Sequence, residues 1–374
     1  MRDRCIFCVI AMLMLSGIVP CKAADVPPSI SVIVDNIENL ENKIFSRNRI
    51  YVNYASIIAE NKLSSKPDEK FNSVIYSNIK DNNKWGVHAI LAKPIDNNTG
   101  ETVYFAKNGK IFEWINHSNH AVIAPFEFGR NMYSNWTFFL NIGITPFRRI
   151  AETNGVSFDK VLEAVDKESY LEELDNFILP DSIKNNMQKY TVNPIQDEID
   201  GHKCWVVEWK NADKIWFDSK LPGIIRKRII HWKKGQGVKS IIKNSNFKEF
   251  NDGIILPELQ EVTHYVGEEM ELDKSLLGKE HSHFVYQVNL VQFDAFDQEA
   301  QQLSNYSLSP GTSIFDVSNN YEYTITKPNS DPFTRPAEQE IKINRYAIYR
   351  AILIIAGSIL ALIGLWLILR KEKS

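Results

Sequence analysis

The sequence predicts an α+β protein: an antiparallel sheet packed by helices, followed by one C-terminal transmembrane helix. Three observations carry this expectation. After Pro27-Pro28-Ser29, the residues Ile30, Ile33, Val34, Ile37, Leu40 and Ile44 recur at helical spacing, while Asp35, Asn36, Glu38, Asn39 and Glu41 take the other face. From Arg49 onward, short runs rich in β-branched and aromatic residues alternate with Asn-, Asp- and Gly-rich turns. Residues 351–369 contain no charge, and at ~1.5 Å per residue such a helix nearly spans a hydrocarbon core of ~30 Å.

The N-terminus reads as a secretory signal. Arg2 and Arg4 are the positive start, residues 6–19 are apolar, and Cys21-Lys22-Ala23 offers small residues before a cut. Cleavage after Ala23 is the preferred reading, and lipoprotein cleavage before Cys21 and an uncleaved anchor are its rivals. Arg370, Lys371 and Lys373 follow the apolar stretch, as the positive-inside rule places basic residues. The expected layout is a signal at 1–23, an ectodomain at 24–295, a closing hairpin at 296–326, a stalk at 327–346, a membrane helix at 347–369 and a cytoplasmic tail at 370–374. That makes a single-pass type I protein of an inner or plasma membrane, with a periplasmic or extracellular ectodomain.

Composition narrows the partners. The chain carries a formal net charge of −3 and both ends are basic, so the ectodomain is more acidic than the whole. An acidic exported domain argues against a nucleic-acid partner. Of four cysteines, Cys5, Cys8 and Cys21 lie in the signal, which leaves Cys204 without an internal disulfide partner. A packed core must therefore hold the domain together, and aromatics at 11% supply bulk for it.

Runs at 51–58, 71–79, 85–92, 101–105 and 110–115 form a first meander, and Asn108-Gly109 between YFAK and KIFEW is its strongest hairpin signal. A more helical interlude follows, with Ser157 capping a helix that carries Phe158, Val161, Leu162 and Val165. Strands resume at 190–192, 204–209, 214–217, 224–232, 238–250, 254–266 and 284–293. Trp205, Val207 and Trp209 share one face, opposite Cys204, Val206 and Glu208. By the same parity Phe284, Tyr286, Val288 and Leu290 face one way.

This order of elements resembles the outer-membrane lipoprotein-sorting (LolA-type) family. The text most like it is Asp200-Gly201-His202-Lys203-Cys204-Trp205-Val206-Val207-Glu208-Trp209, then Lys214-Ile215-Trp216-Phe217-Asp218, Leu221-Pro222-Gly223-Ile224-Ile225-Arg226 and Phe250-Asn251-Asp252-Gly253-Ile254-Ile255-Leu256-Pro257. The resemblance implies a curved antiparallel sheet, an incomplete β-barrel, covered by helices and holding acyl chains on its concave side. The membrane tether departs from the soluble carrier of that family.

Candidate site residues follow. Trp205, Val207, Trp209, Trp216 and Trp232 would floor an apolar ligand site, with Ile33 and Ile37 of the first helix as its lid. Arg226 and Arg228 would attract anionic head groups at the rim. His117 with His120, and His281 with His283, read as loop histidines rather than metal ligands, because no third ligand stands at suitable spacing. Cys204 with His202 reads as a buried thiol beside a turn rather than a nucleophile pair. No Walker loop, G-x-S-x-G or G-x-G-x-x-G occurs, so neither enzyme nor cofactor is expected. The function expected is non-catalytic binding of a lipid, a lipoprotein acyl chain or another apolar component. The alternative is a protein-interaction or sensory ectodomain without a ligand cavity.

Overall fold

The computed structural model describes residues 26–61, 73–91, 101–115, 120–125, 139, 141–143, 146–157, 179–232, 237–250, 253–268, 274–327, 333 and 342–343. The expected signal, membrane helix and tail, the helix drawn after Ser157 and most of the stalk lie outside these residues.

Helix α1 (Ile30–Phe45) begins where Ser29 accepts a hydrogen bond from the Val32 amide, and it buries Ile33, Val34, Ile37, Ile44 and Phe45. The first meander comprises β1 (Arg49–Asn61), β2 (Ser73–Asp81), β3 (Lys84–Leu91), β4 (Glu101–Lys107), β5 (Lys110–Ile115) and β6 (His120–Pro125), each antiparallel to the next. Asn108 and Gly109 turn the β4–β5 hairpin with φ of 53° and 72°, the left-handed pair that a two-residue hairpin needs. Short helices α2 (Pro146–Thr153) and α3 (Leu179–Asn185) precede the second meander.

That meander runs through β7 (Tyr190–Val192), β8 (Asp197–Ile199), β9 (His202–Trp209), β10 (Asp213–Asp218), β11 (Ile225–His231), β12 (Val238–Phe250), β13 (Ile254–Tyr265) and β14 (Glu280–Phe293). Strands β7 and β8 share one edge of β9, and β9 to β14 pair in chain order. Strand β14 then pairs antiparallel with β1 and joins the two meanders. Helix α4 (Gln298–Ser304) leads to β15 (Ser313–Asp316) and β16 (Tyr321–Thr324), and β17 (Lys342–Ile343) pairs with β16. Strand β15 lies parallel to β6. Among the described residues this is one sheet of 17 strands.

Two expectations are corrected here. Rather than a sheet covered by helices, the described residues form a large, mainly strand sheet with few helices, of which only α1 exceeds eight residues. The physical reason lies in how the far face is closed. Tyr51, Ile79, Val103, Phe105 and Phe112 are buried there beneath Phe296, Ala300, Leu303, Ile314 and Tyr323, so α4 and the last hairpin do the covering. Second, among the described residues no helix is long and apolar enough to cross a membrane. Helix α1 is 16 residues long and carries a polar face, and residues 351–369 lie outside the description. The single-pass anchor and the inner- or plasma-membrane location drawn from it therefore have no support in the structure.

A bulge also corrects the parity read for β14. Asn53 pairs with Leu290 but Tyr54 pairs with Val288, so β14 carries one extra residue at Asn289. Leu290 consequently packs toward the far face, while Val288 and Val291 pack toward the helix side. The bulge is held by side chains: Asn289 Nδ2 donates to Asn53 Oδ1 (2.8 Å), and Asn53 Nδ2 donates to Ser77 Oγ (2.9 Å). Tyr51 donates to Glu299 Oε1 of α4 at 2.8 Å, and burial above all pushes its hydroxyl up to about 12.

Beside β9 a small far-face cluster joins Cys204, Val206 and Trp216. Burial, aided by nearby Asp218, pushes the Cys204 thiol up to about 11. At pH 8 almost none of it is thiolate, the form that reacts. Iodoacetamide should therefore leave Cys204 unmodified in the native protein and label it after unfolding in urea; rapid native labelling would contradict this packing. On the helix side, Arg228 Nη2 meets Asp213 Oδ2 at 2.7 Å with both side chains buried. Asp213→Ala should cost about 3–5 kcal/mol in urea unfolding, because it strands a buried guanidinium; a loss below about 1 kcal/mol would show that water reaches the pair.

Candidate functional site

Among the described residues, the helix-side face is more deeply buried at one end of β2, β3 and β4 than at the other. Its core runs from Trp85, Val87, Tyr104 and Ala106 across Val52 and Tyr54 to Ile230, Ile242 and Val262, under Ile44, Phe45, Phe139, Ile142, Ile150 and Ala151. Along β2 the inward positions are Val74, Tyr76, Asn78 and Lys80; the first two are half-buried and the last two buried. Their cross-strand neighbours on β3 repeat the trend, with Ala89 half-buried and Val87 and Trp85 buried. On β4, Thr102 is half-buried, whereas Tyr104 and Ala106 are buried. Depth thus increases in the same direction on three adjacent strands.

Half-buried Tyr76 and Phe284 at the shallower end belong to an aromatic belt whose other members, Tyr54 and Tyr286, are buried. Tyr54 stacks on Tyr76 with centroids 5.1 Å apart, Tyr286 lies 6.2 Å from Tyr54, and Phe284 stacks on Tyr286 at 6.3 Å. His264 meets the edge of Phe284 at 5.6 Å, with its Nδ1 2.8 Å from Ser240 Oγ. Register makes this belt: Tyr54 is opposite Tyr76 on β2, and the bulge brings Tyr286 to the same face of β14. Burial raises the hydroxyls of Tyr76 and Tyr286 above the ordinary tyrosine range, so both remain neutral. The deep end is sealed by Lys80, whose Nζ donates to the Phe45 carbonyl at 2.8 Å and also to that of Arg47. Burial lowers the Lys80 ammonium below its usual range.

Helix α1 is set on the second meander at three points. Ile33, Ile37 and Val207 share a core with Leu179, Ile183, Tyr190, Ile215, Phe217 and Ile225. The turn before β11 presses on the helix at Gly223, where φ is +81° and a Cβ would lie 2.6 Å from the Asn36 carbonyl oxygen. Glycine alone fits that approach. Near the C-terminal end Lys43 Nζ donates to the Gly253 carbonyl at 2.9 Å.

The residues singled out from sequence are only partly brought together. Ile33, Ile37 and Val207 meet, and Trp209 packs against their cluster with its ring 5.7 Å from Tyr190. Trp205 lies on the same face but lines a separate open groove of about 680 Å³ with Gln196, Glu198, His202, Lys203 and Asp218. Trp216 is on the far face, since it pairs with Val206, and its Nε1 donates to Asp197 Oδ2 at 2.9 Å. Trp232 stands apart beyond β11, against Gly267, where a Cβ would come within 2.3 Å of the indole. Arg226 and Arg228 are buried, and each meets a carboxylate: Arg226 Nε is 2.6 Å from Asp218 Oδ2, and Arg228 is held by Asp213. His283 Nδ1 lies 3.0 Å from Thr263 Oγ1 and His281 Nδ1 lies 3.2 Å from Ser282 Oγ, while His117 is outside the described residues.

Tyr54, Tyr76 and Tyr286 were not singled out from sequence. Alternation within each strand places Tyr54 with Val52 and Tyr286 with Phe284, but only the cross-strand register shows that they form one belt.

No family model matches the sequence, and no curated protein matches it. Solved structures similar to this chain include a DUF1329 family protein from Desulfovibrio piger, at 10% identity and TM-score 0.38, covering 72% of this chain and 95% of that one. A domain described as outer membrane lipoprotein-sorting, from Vibrio parahaemolyticus, matches at 9% identity and TM-score 0.37 over 72% of this chain and 95% of its own. A LolA superfamily protein from Nitrosomonas europaea matches at 8% identity and TM-score 0.35 over 73% and 96%. The resemblance read at residues 200–257 is thus met by LolA-type structures among the matches.

Proposed function

We propose that the helix-side face binds an apolar chain, such as a lipid or the acyl group of a lipoprotein, without catalysing a reaction on it. The observation that carries this reading is the shared burial gradient on β2, β3 and β4, with an aromatic belt at its shallow end and Lys80 closing its deep end. Apolar ligand sites combine such walls with a few placed polar groups. Ile33, Ile37, Val207 and Trp209 serve in this reading as the seat of α1, and half-buried Tyr76 and Phe284 as the contact surface, with buried Tyr54 and Tyr286 packed behind them. The test is binding of a fluorescent C12 acyl probe to the protein. Tyr76→Lys, at a half-buried position, should weaken binding by about tenfold or more; unchanged affinity would remove the belt from the site.

One further observation favours a protein partner. Pairing of β13 with β14 ends at Leu259 and Gln287, yet β13 continues along β12 to Ile254 and β14 continues along β1 to Phe293. The two strands fork beyond that point, and a groove of about 620 Å³ between them is lined by Lys248, Phe250, Glu258, Val288 and Leu290. Pro257 stands in the forked stretch, as proline does where a strand has an open side. An extended peptide could add there as a strand. Random-peptide selection should then enrich alternating apolar sequences whose binding slows amide exchange at residues 288–293; binders that protect only other segments would sink this second reading.

A further inference from the structure

Asn78 is fully buried, at 0% exposure, and neither its Oδ1 nor its Nδ2 has a hydrogen-bond partner. Its inward neighbours are apolar: Val52 faces it on β1 and Val87 on β3, both at 0% exposure. It sits one inward position deeper than half-buried Tyr76 and one shallower than Lys80, which is satisfied by two backbone carbonyls. A buried amide without partners is destabilising, and leucine or valine would fill the same strand position without that cost. The side chain therefore stands at the inner end of the apolar floor with its Nδ2 donors and its Oδ1 acceptor uncommitted.

Resting on the apolar-chain reading above, we infer that Asn78 receives the head of the ligand, and that this head is a carboxylic acid in its neutral form or a primary amide. The argument is one of geometry. The carboxamide of Asn78 presents Oδ1 and an Nδ2 hydrogen side by side, as asparagine does when it makes two parallel hydrogen bonds to a planar partner. A planar group with an acceptor and a donor on one edge satisfies both atoms at once. A neutral carboxyl does so through its carbonyl oxygen and its O–H, and a primary amide does so through its carbonyl oxygen and one N–H. An ester offers acceptors alone, and a hydrocarbon offers neither. The chain would enter past half-buried Tyr76 head first and leave its tail toward the aromatic belt.

The test compares dodecanamide with methyl dodecanoate, two uncharged C12 probes, on the full chain and on Asn78→Leu. The native protein should bind dodecanamide about tenfold more tightly than the ester. In Asn78→Leu that preference should disappear while ester binding persists, and the melting temperature without ligand should not fall. Equal affinity of the native protein for both probes, or a preference that survives in Asn78→Leu, overturns the inference and leaves the apolar-chain reading standing. Binding of neither probe overturns both. Should Asn78→Leu fail to fold, Asn78→Ser gives the same comparison, and the native preference between the two probes decides alone.

Discussion

The long antiparallel pairing of β1 with β14 is the constraint on which the rest of the structure depends. Without it, β1–β6 and β9–β14 would be two meanders, each with an open edge of bare backbone groups. With it they form a single sheet whose helix-side core passes unbroken from Trp85 and Tyr104 through Tyr54 to Ile242 and Val262. The bulge at Asn289 decides what each half contributes, because one extra residue exchanges the faces of every side chain beyond it. The Asn289–Asn53–Ser77 hydrogen bonds hold that bulge from the far side, beside α4 and the last hairpin.

Among the described residues, buried charge marks register and closure. Asp213 and Arg228 lie on adjacent strands of the helix side, and a slip of one residue would turn Arg228 to the other face and strand its partner. Asp218 caps the turn after β10, accepting from the Lys220 and Leu221 amides, and also accepts from Arg226. Lys80 uses its ammonium on the Phe45 carbonyl, which α1 leaves open at its end, and on the Arg47 carbonyl just beyond the helix. Asp213, Asp218 and Lys80 are spent within the fold, and Arg228 is held through Nε and Nη2. Asn78 differs from them because it lies on the same inward row with its amide unmatched.

Much of the fold was legible because its signals are local. Asn108-Gly109 and Asp200-Gly201 adopt the left-handed conformations that tight hairpins require, and α1 falls where the apolar stripe from Ile30 to Ile44 places it. The parity of Trp205, Val207 and Trp209 is also local and is seen on β9. The tryptophan floor was less legible, since parity within β9 says nothing of β10, where register turns Trp216 to the far face. Basic residues at 226 and 228 suggested a rim, but their carboxylate partners lie on the neighbouring strand, at Asp218 and Asp213. Strands β6 and β8 and helix α4 are short, and the tertiary contacts that stabilise them are absent from their own sequences.

The sequence by itself determined the elements: one amphipathic helix, two runs of hairpins and the residues that turn them, because periodicity and turn chemistry act over a few neighbouring positions. Only the tertiary structure decided that β1 meets β14, that a bulge re-aims Val288 and Leu290, that the far face is closed by α4 and β15, and that Tyr54, Tyr76 and Tyr286 form one belt beside Asn78. Those outcomes rest on cross-strand register and on which buried groups find partners. Both are set by contacts between residues up to a few hundred positions apart, which no local pattern encodes.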